Sequence, residues 1–327
     1  MCAFERSEKG MEFFMKPKVI VIVGPTASGK TALSIELAKK IDGEIISCDS
    51  MQIYKDMNIG SAKPTIEEMQ GIKHYMIDIA EPTERFSVAE YKKRSEEAIE
   101  KILQKGKVPI IVGGTGLYAN SLIYNIEYNE IMLDEEYRKN LMKIAETEVG
   151  LATLYEKARI IDPVAMEKIS SNDKKRIIRV LEIKHSTGKN KTELELESRK
   201  NEVKYEYKVF AINMPREILY DRINKRVDIM IENGLIDEVE NIIEKYKEFP
   251  TAMQAIGYKE IVMYLKGELT KQEAIEKIKQ ESRRYAKRQI TWFKKIENIK
   301  WIDGLKDKDE NIKFIQDVIF ALKKECD

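Results

Sequence analysis

The sequence predicts an α/β fold, in which helices cover a parallel sheet and an all-helical unit is inserted into this core. Short apolar, β-branched runs alternate along the chain with longer stretches of helical periodicity, a pattern typical of βα units. The runs cover residues 18–23, 44–47, 108–112 and 209–214, and the helical stretches cover 31–41, 88–105 and 215–233. Between the third and fourth runs, the pattern is helical with little sign of strands.

The inserted unit is expected to occupy residues 125–204, where Leu, Ile and Met recur at helical spacing and linker-like Pro and Gly are rare. Three helices are predicted within it, at 135–148, 151–161 and 173–186. Asn172 is the expected N-cap of the third helix and Gly188 its stop.

The remaining residues, 15–124 and 205–327, are expected to form a P-loop NTPase-like core with C-terminal helices. The longest of these helices is predicted over residues 271–293. Residues 1–14 precede the first strand and are expected to be a disordered extension.

Composition narrows the classes of protein that fit. Cys2, Cys48 and Cys326 are too few and too dispersed for a disulfide framework or a paired zinc site, which favours a reducing compartment. No run approaches the roughly 20 apolar residues that a membrane helix needs. We therefore expect a cytoplasmic protein without a membrane segment, and a monomer.

A phosphate-binding loop is predicted at residues 24–31. Their sequence GPTASGKT satisfies the pattern G-x-x-x-x-G-K-[ST] and lies between a predicted strand and a predicted helix. Backbone N–H groups and the helix N-terminus can surround an anion there, Lys30 adds a charge, and the Thr31 hydroxyl can ligate Mg²⁺. The expected diphosphate or nucleotide site therefore comprises Gly24, Pro25, Thr26, Ala27, Ser28, Gly29, Lys30 and Thr31.

An ordinary ATPase would also need a carboxylate after an apolar strand, but the strand at 108–112 runs into Gly113-Gly114-Thr115-Gly116. The acid at a strand end is instead Asp49, which can act as a general base or a metal ligand, or simply cap a turn. Because the carboxyl ends of parallel strands share one crevice, Asp49, Thr115 and the phosphate loop are expected to converge.

Two segments concentrate positive charge in a chain whose net charge is only +1. One lies between Lys279 and Lys295 and also contains Tyr285, Trp292 and Phe293, and the other lies between Lys174 and Lys191. Both suit a nucleic-acid phosphate backbone. A solvated helix face at 175–179, and a core role for both Trp292 and Phe293, remain open alternatives.

Five collinear motifs resemble the tRNA dimethylallyltransferase family over residues 16 to about 301. They are GPTASGKT at 24–31, IISCDSMQIYK at 45–55, NIGSAKP at 58–64, VGGTGLY at 112–118 and KRQITWF at 287–293. Cys48 and Ser61 stand where the family more often has Val and Thr. The zinc-finger extension of eukaryotic members is absent from this sequence, which indicates the bacterial type.

The resemblance implies transfer of a dimethylallyl group from dimethylallyl diphosphate to the exocyclic 6-amino group of the adenosine 3′-adjacent to the tRNA anticodon, releasing diphosphate. It implies Mg²⁺ as cofactor, held through Thr31, and Asp49 as the base that takes the amine proton. Thr26 is expected near the leaving group. Arg222 is the first choice for an arginine that reaches the site from the helix after the fourth strand, with Arg226 as its competitor.

The resemblance also implies an RNA surface that binds the anticodon stem-loop, and the inserted unit is expected to grip the stem. The expected contacts are Asp49, Ser50, Met51, Gln52, Thr115, Arg138, Lys175, Arg176, Ile177, Ile178, Arg179, Arg284 and Arg288.

Two other functions use similar parts. A nucleoside or nucleotide kinase shares the phosphate loop and sheet and takes ATP as donor, but has no use for the helical insertion or the KRQITWF segment. A non-catalytic, nucleotide-sensing RNA-binding protein would keep the basic helices and would not need Asp49.

Overall fold

A six-stranded parallel sheet lies at the centre of the residues that the computed structural model describes, 16–128, 134–198, 202–249 and 251–320. The predicted fold class is confirmed. The expected extension at 1–14 lies outside the described residues. The strands are β1 (Lys18–Val23), β2 (Gly43–Cys48), β3 (His74–Tyr75), β4 (Val108–Gly113), β5 (Glu206–Asn213) and β6 (Lys300–Asp303).

The strand order is β3-β2-β4-β1-β5-β6, with every described pair parallel. Central β1 alternates between two cores, with Val19, Val21 and Val23 on one face and Ile20 and Ile22 on the other. Burial on both faces explains its uninterrupted apolar sequence. The sequence did not reveal β3, which has only two residues, or the edge strand β6, which is largely exposed.

Helices surround the sheet and form most of the remaining structure. They are α1 (Lys30–Ile41), α2 (Ile66–Met69), α3 (Val88–Gln104), α4 (Gly116–Ile123), α5 (Glu135–Ile144), α6 (Glu148–Ile161), α7 (Pro163–Met166), α8 (Lys174–Thr187), α9 (Lys191–Ser198), α10 (Arg216–Glu232), α11 (Leu235–Lys245), α12 (Tyr258–Leu265), α13 (Lys271–Phe293) and α14 (Lys308–Phe320). None of them, within the described ranges, is long and apolar enough to cross a membrane.

Helices α5 to α8 pack around a core of their own, which includes Leu154, Ala158 and Leu181. The three helices predicted here are confirmed, but α8 is capped by Asp173 and not by Asn172. The Asp173 carboxylate accepts a hydrogen bond from the Arg176 N–H at 3.1 Å. The expected stop is confirmed, since Gly188 adopts the left-handed conformation at φ 71°.

Asp162 joins α7 to α9 inside this unit, with only 1% of its surface exposed. Its carboxylate accepts hydrogen bonds from the Ala165 N–H at 3.0 Å, the Thr192 N–H at 2.8 Å and the Thr192 hydroxyl at 2.6 Å. Burial alone would raise its pKa, but these donors outweigh burial and hold the pKa below its usual value.

Replacing Asp162 by Ala should lower the free energy of unfolding by about 2–3 kcal/mol, because buried donors on both helices lose their acceptor. The matched variant Asp173→Ala removes a more exposed cap and should cost about 1 kcal/mol. Urea denaturation of both variants measures the difference. Equal losses would contradict the linking role of Asp162.

Candidate active site

The phosphate loop leaves β1 and enters α1 through two left-handed residues, Ala27 at φ 61° and Gly29 at φ 88°. Lys30 folds back over the loop, and its ammonium donates to the Pro25 carbonyl at 2.8 Å. Ser28 Oγ is buried and has no hydrogen-bond partner among the residues that the structure describes. The loop therefore presents a charge, a free hydroxyl and backbone N–H groups to an anion.

The charge on Lys30 is poorly stabilised by its own protein. Burial and the nearby guanidinium of Arg226 lower its pKa to about 8, although Asp49 opposes this shift. An anion bound in the loop would supply the missing negative charge and raise the pKa of Lys30 again.

Magnesium has no ready-made protein cage here. Among the described residues, no cluster of three or more His, Cys, Asp and Glu side chains could hold a metal ion. Mg²⁺ commonly takes one or two protein oxygens together with substrate phosphates and water. The hydroxyls of Ser28 and Thr31 fit that arrangement, because one is buried without a partner and the other lies in the first turn of α1.

Asp49 follows β2, and the structure shows one of the roles that the sequence left open, the capping of a turn. Its Oδ1 accepts hydrogen bonds from the N–H groups of Met51 at 2.9 Å and Gln52 at 3.4 Å, so it does organise a turn. Within the described residues, no donor reaches its second oxygen. One oxygen thus fixes the carboxylate, and the other is available to a substrate.

Thr115 holds the neighbouring turn in register with Asp49. Its Oγ1 accepts from the Ser50 N–H at 3.0 Å, while the N–H groups of Gly114 and Thr115 donate to the Cys48 carbonyl at 3.1 and 3.0 Å. Gly114 also borders the phosphate loop, since an added Cβ would lie 3.6 Å from the Gly24 carbonyl oxygen. The structure therefore brings the three predicted strand-end elements together.

The arginine of α10 that lies beside Lys30 is Arg226 and not the predicted Arg222. Arg222 is exposed on α10, whereas Arg226 is partly buried and close enough to Lys30 to lower its pKa. Burial lowers the pKa of Arg226 itself, and Glu68 and Asp49 oppose that shift. Positions four apart share one helix face, so their spacing could not reveal which of them faces the loop.

Gln52 uses its side chain inside the protein. Its Oε1 accepts from the Ser47 hydroxyl at 2.9 Å, and its Nε2 donates to the Ala62 carbonyl at 3.2 Å. This amide supports the segment 58–64, which the sequence motif had marked without a role. Any RNA contact by Gln52 would have to replace these bonds or use its backbone.

Glu238 of α11 anchors the same segment, although nothing in its sequence context marks it. Its carboxylate accepts from the N–H groups of Asn58, Ile59 and Gly60 at 2.9, 2.7 and 3.1 Å. The Tyr258 hydroxyl donates to it at 2.6 Å, and the Tyr258 ring lies so close to Gly60 that a Cβ there would approach it to 2.4 Å.

In the helical unit, a buried carboxylate joins two of the predicted RNA contacts. Glu182 is 2% exposed and pairs with Arg138 at 2.7 Å and with Arg179 at 3.6 Å. The two arginines lie on different helices and keep 38% and 40% of their side-chain surface exposed. Glu182 thus orients a pair of guanidinium groups toward solvent. No motif or spacing in the sequence indicated this role.

Of the predicted RNA contacts on α8, some lie on the surface and others lie in the core of the helical unit. Lys175 and Arg176 are exposed on α8, as an RNA contact requires. Ile177 and Ile178 are completely buried in the core of the unit. Their predicted contact with RNA through side chains is therefore corrected, because α8 turns these two positions inward.

The basic face of α13 is open to solvent. Arg284 pairs with Glu281 at 2.6 Å, and the guanidinium of Arg288 lies 5.7 Å from the centre of the Tyr285 ring. Phe293 is fully buried and belongs to the core. Trp292 is 38% exposed and packs on Gly116, where an added Cβ would lie 2.3 Å from the indole ring.

Comparisons with known proteins agree with this arrangement. Residues 52–296 match the family described as IPP transferase. The curated tRNA dimethylallyltransferase of Acetivibrio thermocellus is 54% identical over 296 residues, which cover 90% of this chain and 94% of that protein. The enzyme of the same name from Bacillus cereus is 48% identical over 288 residues, which cover 88% and 90% of the two chains.

Solved structures show the same fold. The full-length tRNA isopentenylpyrophosphate transferase of Bacillus halodurans matches with a TM-score of 0.71 and 43% identity, covering 95% of this chain and 98% of that one. A eukaryotic dimethylallyltransferase, captured acting on tRNA, matches with a TM-score of 0.79 and 32% identity, covering 94% and 80%. The chain therefore belongs to the IPP transferase family, which its curated relatives represent as tRNA dimethylallyltransferases.

Proposed function

We propose that the protein transfers a dimethylallyl group from dimethylallyl diphosphate to the exocyclic 6-amino group of the adenosine 3′-adjacent to the anticodon in tRNA, releasing diphosphate. Membership of the family makes it a transferase that modifies tRNA. The observation that carries the proposal is the pairing of an anion-binding loop with Asp49, whose carboxylate lies close enough to Lys30 and Arg226 to affect the pKa of both.

The phosphate loop stabilises the leaving group in this mechanism. As the allylic C–O bond breaks, negative charge develops on the diphosphate, where the loop N–H groups, Lys30 and Arg226 supply opposite charge. Thr26 lies at the start of the loop, where we place the bridging oxygen. When bound, Mg²⁺ adds positive charge to the same oxygens, and Ser28 and Thr31 would hold it.

Asp49 acts on the nucleophile, which is the exocyclic amine of the adenosine. The lone pair of an adenine amine is delocalised into the ring, so the amine attacks poorly and must lose a proton as the C–N bond forms. The free oxygen of Asp49 is suited to accept that proton, and its other oxygen stays fixed by the turn. One C–O bond breaks, one C–N bond forms and one proton moves to the carboxylate.

The exposed basic residues on α8 and α13 supply the RNA surface. The adenosine has to leave the anticodon-loop stack, at a cost of a few kcal/mol that phosphate contacts must offset. We propose that Lys175, Arg176 and Arg179 on α8, and Arg284 and Arg288 on α13, make such contacts, and their exposure supports this. One chain supplies both surfaces, so we propose that the protein acts as a monomer. We also propose that it acts in the cytoplasm.

The Asp49→Asn variant tests the base. Asn retains the oxygen that organises the turn but cannot take the proton, so transfer should slow by about 10²–10⁴-fold while RNA binding changes little. Single-turnover transfer from radiolabelled dimethylallyl diphosphate to an unmodified anticodon stem-loop with three successive adenines measures this rate.

The matched control for this change is Asp221→Asn, an exposed aspartate on α10. Full transfer activity of Asp49→Asn would contradict the role of Asp49 as the base, whereas a wild type that binds RNA without transferring label would favour the non-catalytic RNA-binding protein. Movement of labelled phosphate from ATP to a nucleoside, without label in the RNA, would favour the kinase.

The choice between the two arginines is testable with a matched pair of truncations. Arg226→Ala removes a positive charge beside the leaving group and should lower kcat/KM by about 10²-fold or more. Arg222→Ala alters an exposed residue on the same helix and should change kcat/KM less than about threefold. The reverse order of effects would restore Arg222 to the site.

The lowered pKa of Lys30 predicts how the affinity of the protein for inorganic diphosphate depends on pH. Its pKa in the free protein is about 8, so it loses its charge above that pH and the protein loses an anion contact. Affinity should therefore fall by up to about tenfold per pH unit above pH 8, until the higher pKa of the bound state is reached. Calorimetry from pH 7 to 10 measures this fall.

The Lys30→Met variant controls for titration of the diphosphate itself and should show a flatter profile. In Arg226→Ala, the pKa of Lys30 should rise, and the fall should begin at higher pH. Identical profiles for the wild type and Lys30→Met would contradict the assignment.

A further inference from the structure

Gln289 is a buried amide that joins two loops of the site. It lies on α13 with 5% of its surface exposed. Its Oε1 accepts a hydrogen bond from the Thr26 N–H at 2.9 Å, and its Nε2 donates to the Gly114 carbonyl at 2.9 Å. The first partner begins the phosphate loop, and the second directly precedes Thr115.

The orientation of this amide follows from its partners. A backbone N–H can only donate and a backbone carbonyl can only accept, so Oε1 must face Thr26 and Nε2 must face Gly114. A carboxylate would place an oxygen against the carbonyl, and an aliphatic side chain would satisfy neither group. The contact also needs glycine, because a Cβ at position 114 would lie 2.2 Å from Nε2.

These two hydrogen bonds connect the loop that would bind the leaving group with the turns around Asp49, which would bind the nucleophile. On one side, the bond fixes the start of the loop that holds the leaving diphosphate. On the other, Gly114 and Thr115 bind the Cys48 carbonyl, and Thr115 binds the Ser50 N–H on either side of Asp49. Displacing reacting groups by about 1 Å can cost about 10²-fold in rate, so their spacing matters.

We propose that Gln289 is a positioning residue, which sets the distance between the phosphate loop and the Asp49–Thr115 turns. The effect on transfer rests on the proposed function. The effect on diphosphate binding does not, because it needs only the loop. Gln289 touches neither substrate in this scheme and acts through the backbone groups that it holds.

The test compares Gln289→Leu and Gln289→Glu with Gln280→Glu, which makes the same chemical change at an exposed position on α13. Affinity for inorganic diphosphate is measured by calorimetry, and transfer by single turnover between pH 5.5 and 8.5. Circular dichroism establishes that each variant is folded.

We expect Gln289→Leu to bind diphosphate about tenfold more weakly and to transfer about a hundredfold more slowly, since two buried backbone groups lose their partner. Gln289→Glu should be impaired at high pH and recover relative to the wild type as the pH falls, because a protonated carboxyl can again donate to the Gly114 carbonyl. Gln280→Glu should match the wild type throughout.

Folded Gln289→Leu with normal diphosphate affinity and normal transfer would overturn the proposal. If that variant does not fold, Gln289→Glu decides, and a ratio to wild type that is independent of pH would overturn it. Should the wild type transfer nothing to RNA, while diphosphate binding still depends on Gln289, the proposed function fails and the positioning of the loop stands.

Discussion

The site depends on the positive charge of Lys30 and Arg226 beyond the end of β1, which the protein neutralises only in part. Lys30 lies over the phosphate loop beside Arg226, and burial together with that neighbour lowers its pKa to about 8. Asp49 offsets the repulsion only in part. An anion with several oxygens would complete the arrangement, and the sheet, the loop and the surrounding helices hold this charge in place.

The parallel sheet makes this possible because its strand ends share one edge. In the sheet, β4 lies between β2 and β1. Each of these three strands ends in a turn that contributes to the pocket. Hydrogen bonds from Thr115 and Gly114 lock two of the turns together, and the amide of Gln289 ties the third to them. The phosphate loop and Asp49 thus follow different strands and are held together by these hydrogen bonds.

Buried carboxylates play the corresponding role away from the chemistry. Glu238 accepts three successive backbone N–H groups and fixes the segment that supports Gln52. Glu182 holds Arg138 and Arg179, and Asp162 joins two helices of the same unit. Several donors offset the cost of burying the charge of Glu238 and Asp162, and two guanidinium groups offset that of Glu182. The result is a defined orientation of loops or basic side chains.

The sequence by itself determined the α/β class, the phosphate loop, Asp49 and Thr115, because motifs at strand ends are local and parallel strands impose their convergence. Tertiary structure decided which arginine of α10 faces the site, that Ile177 and Ile178 point inward, and that Asp173 caps α8. It alone revealed the roles of Gln289, Glu182 and Glu238, each of which has a partner far away in the chain. Such pairings depend on how helices pack against one another, which residue spacing within one helix does not encode.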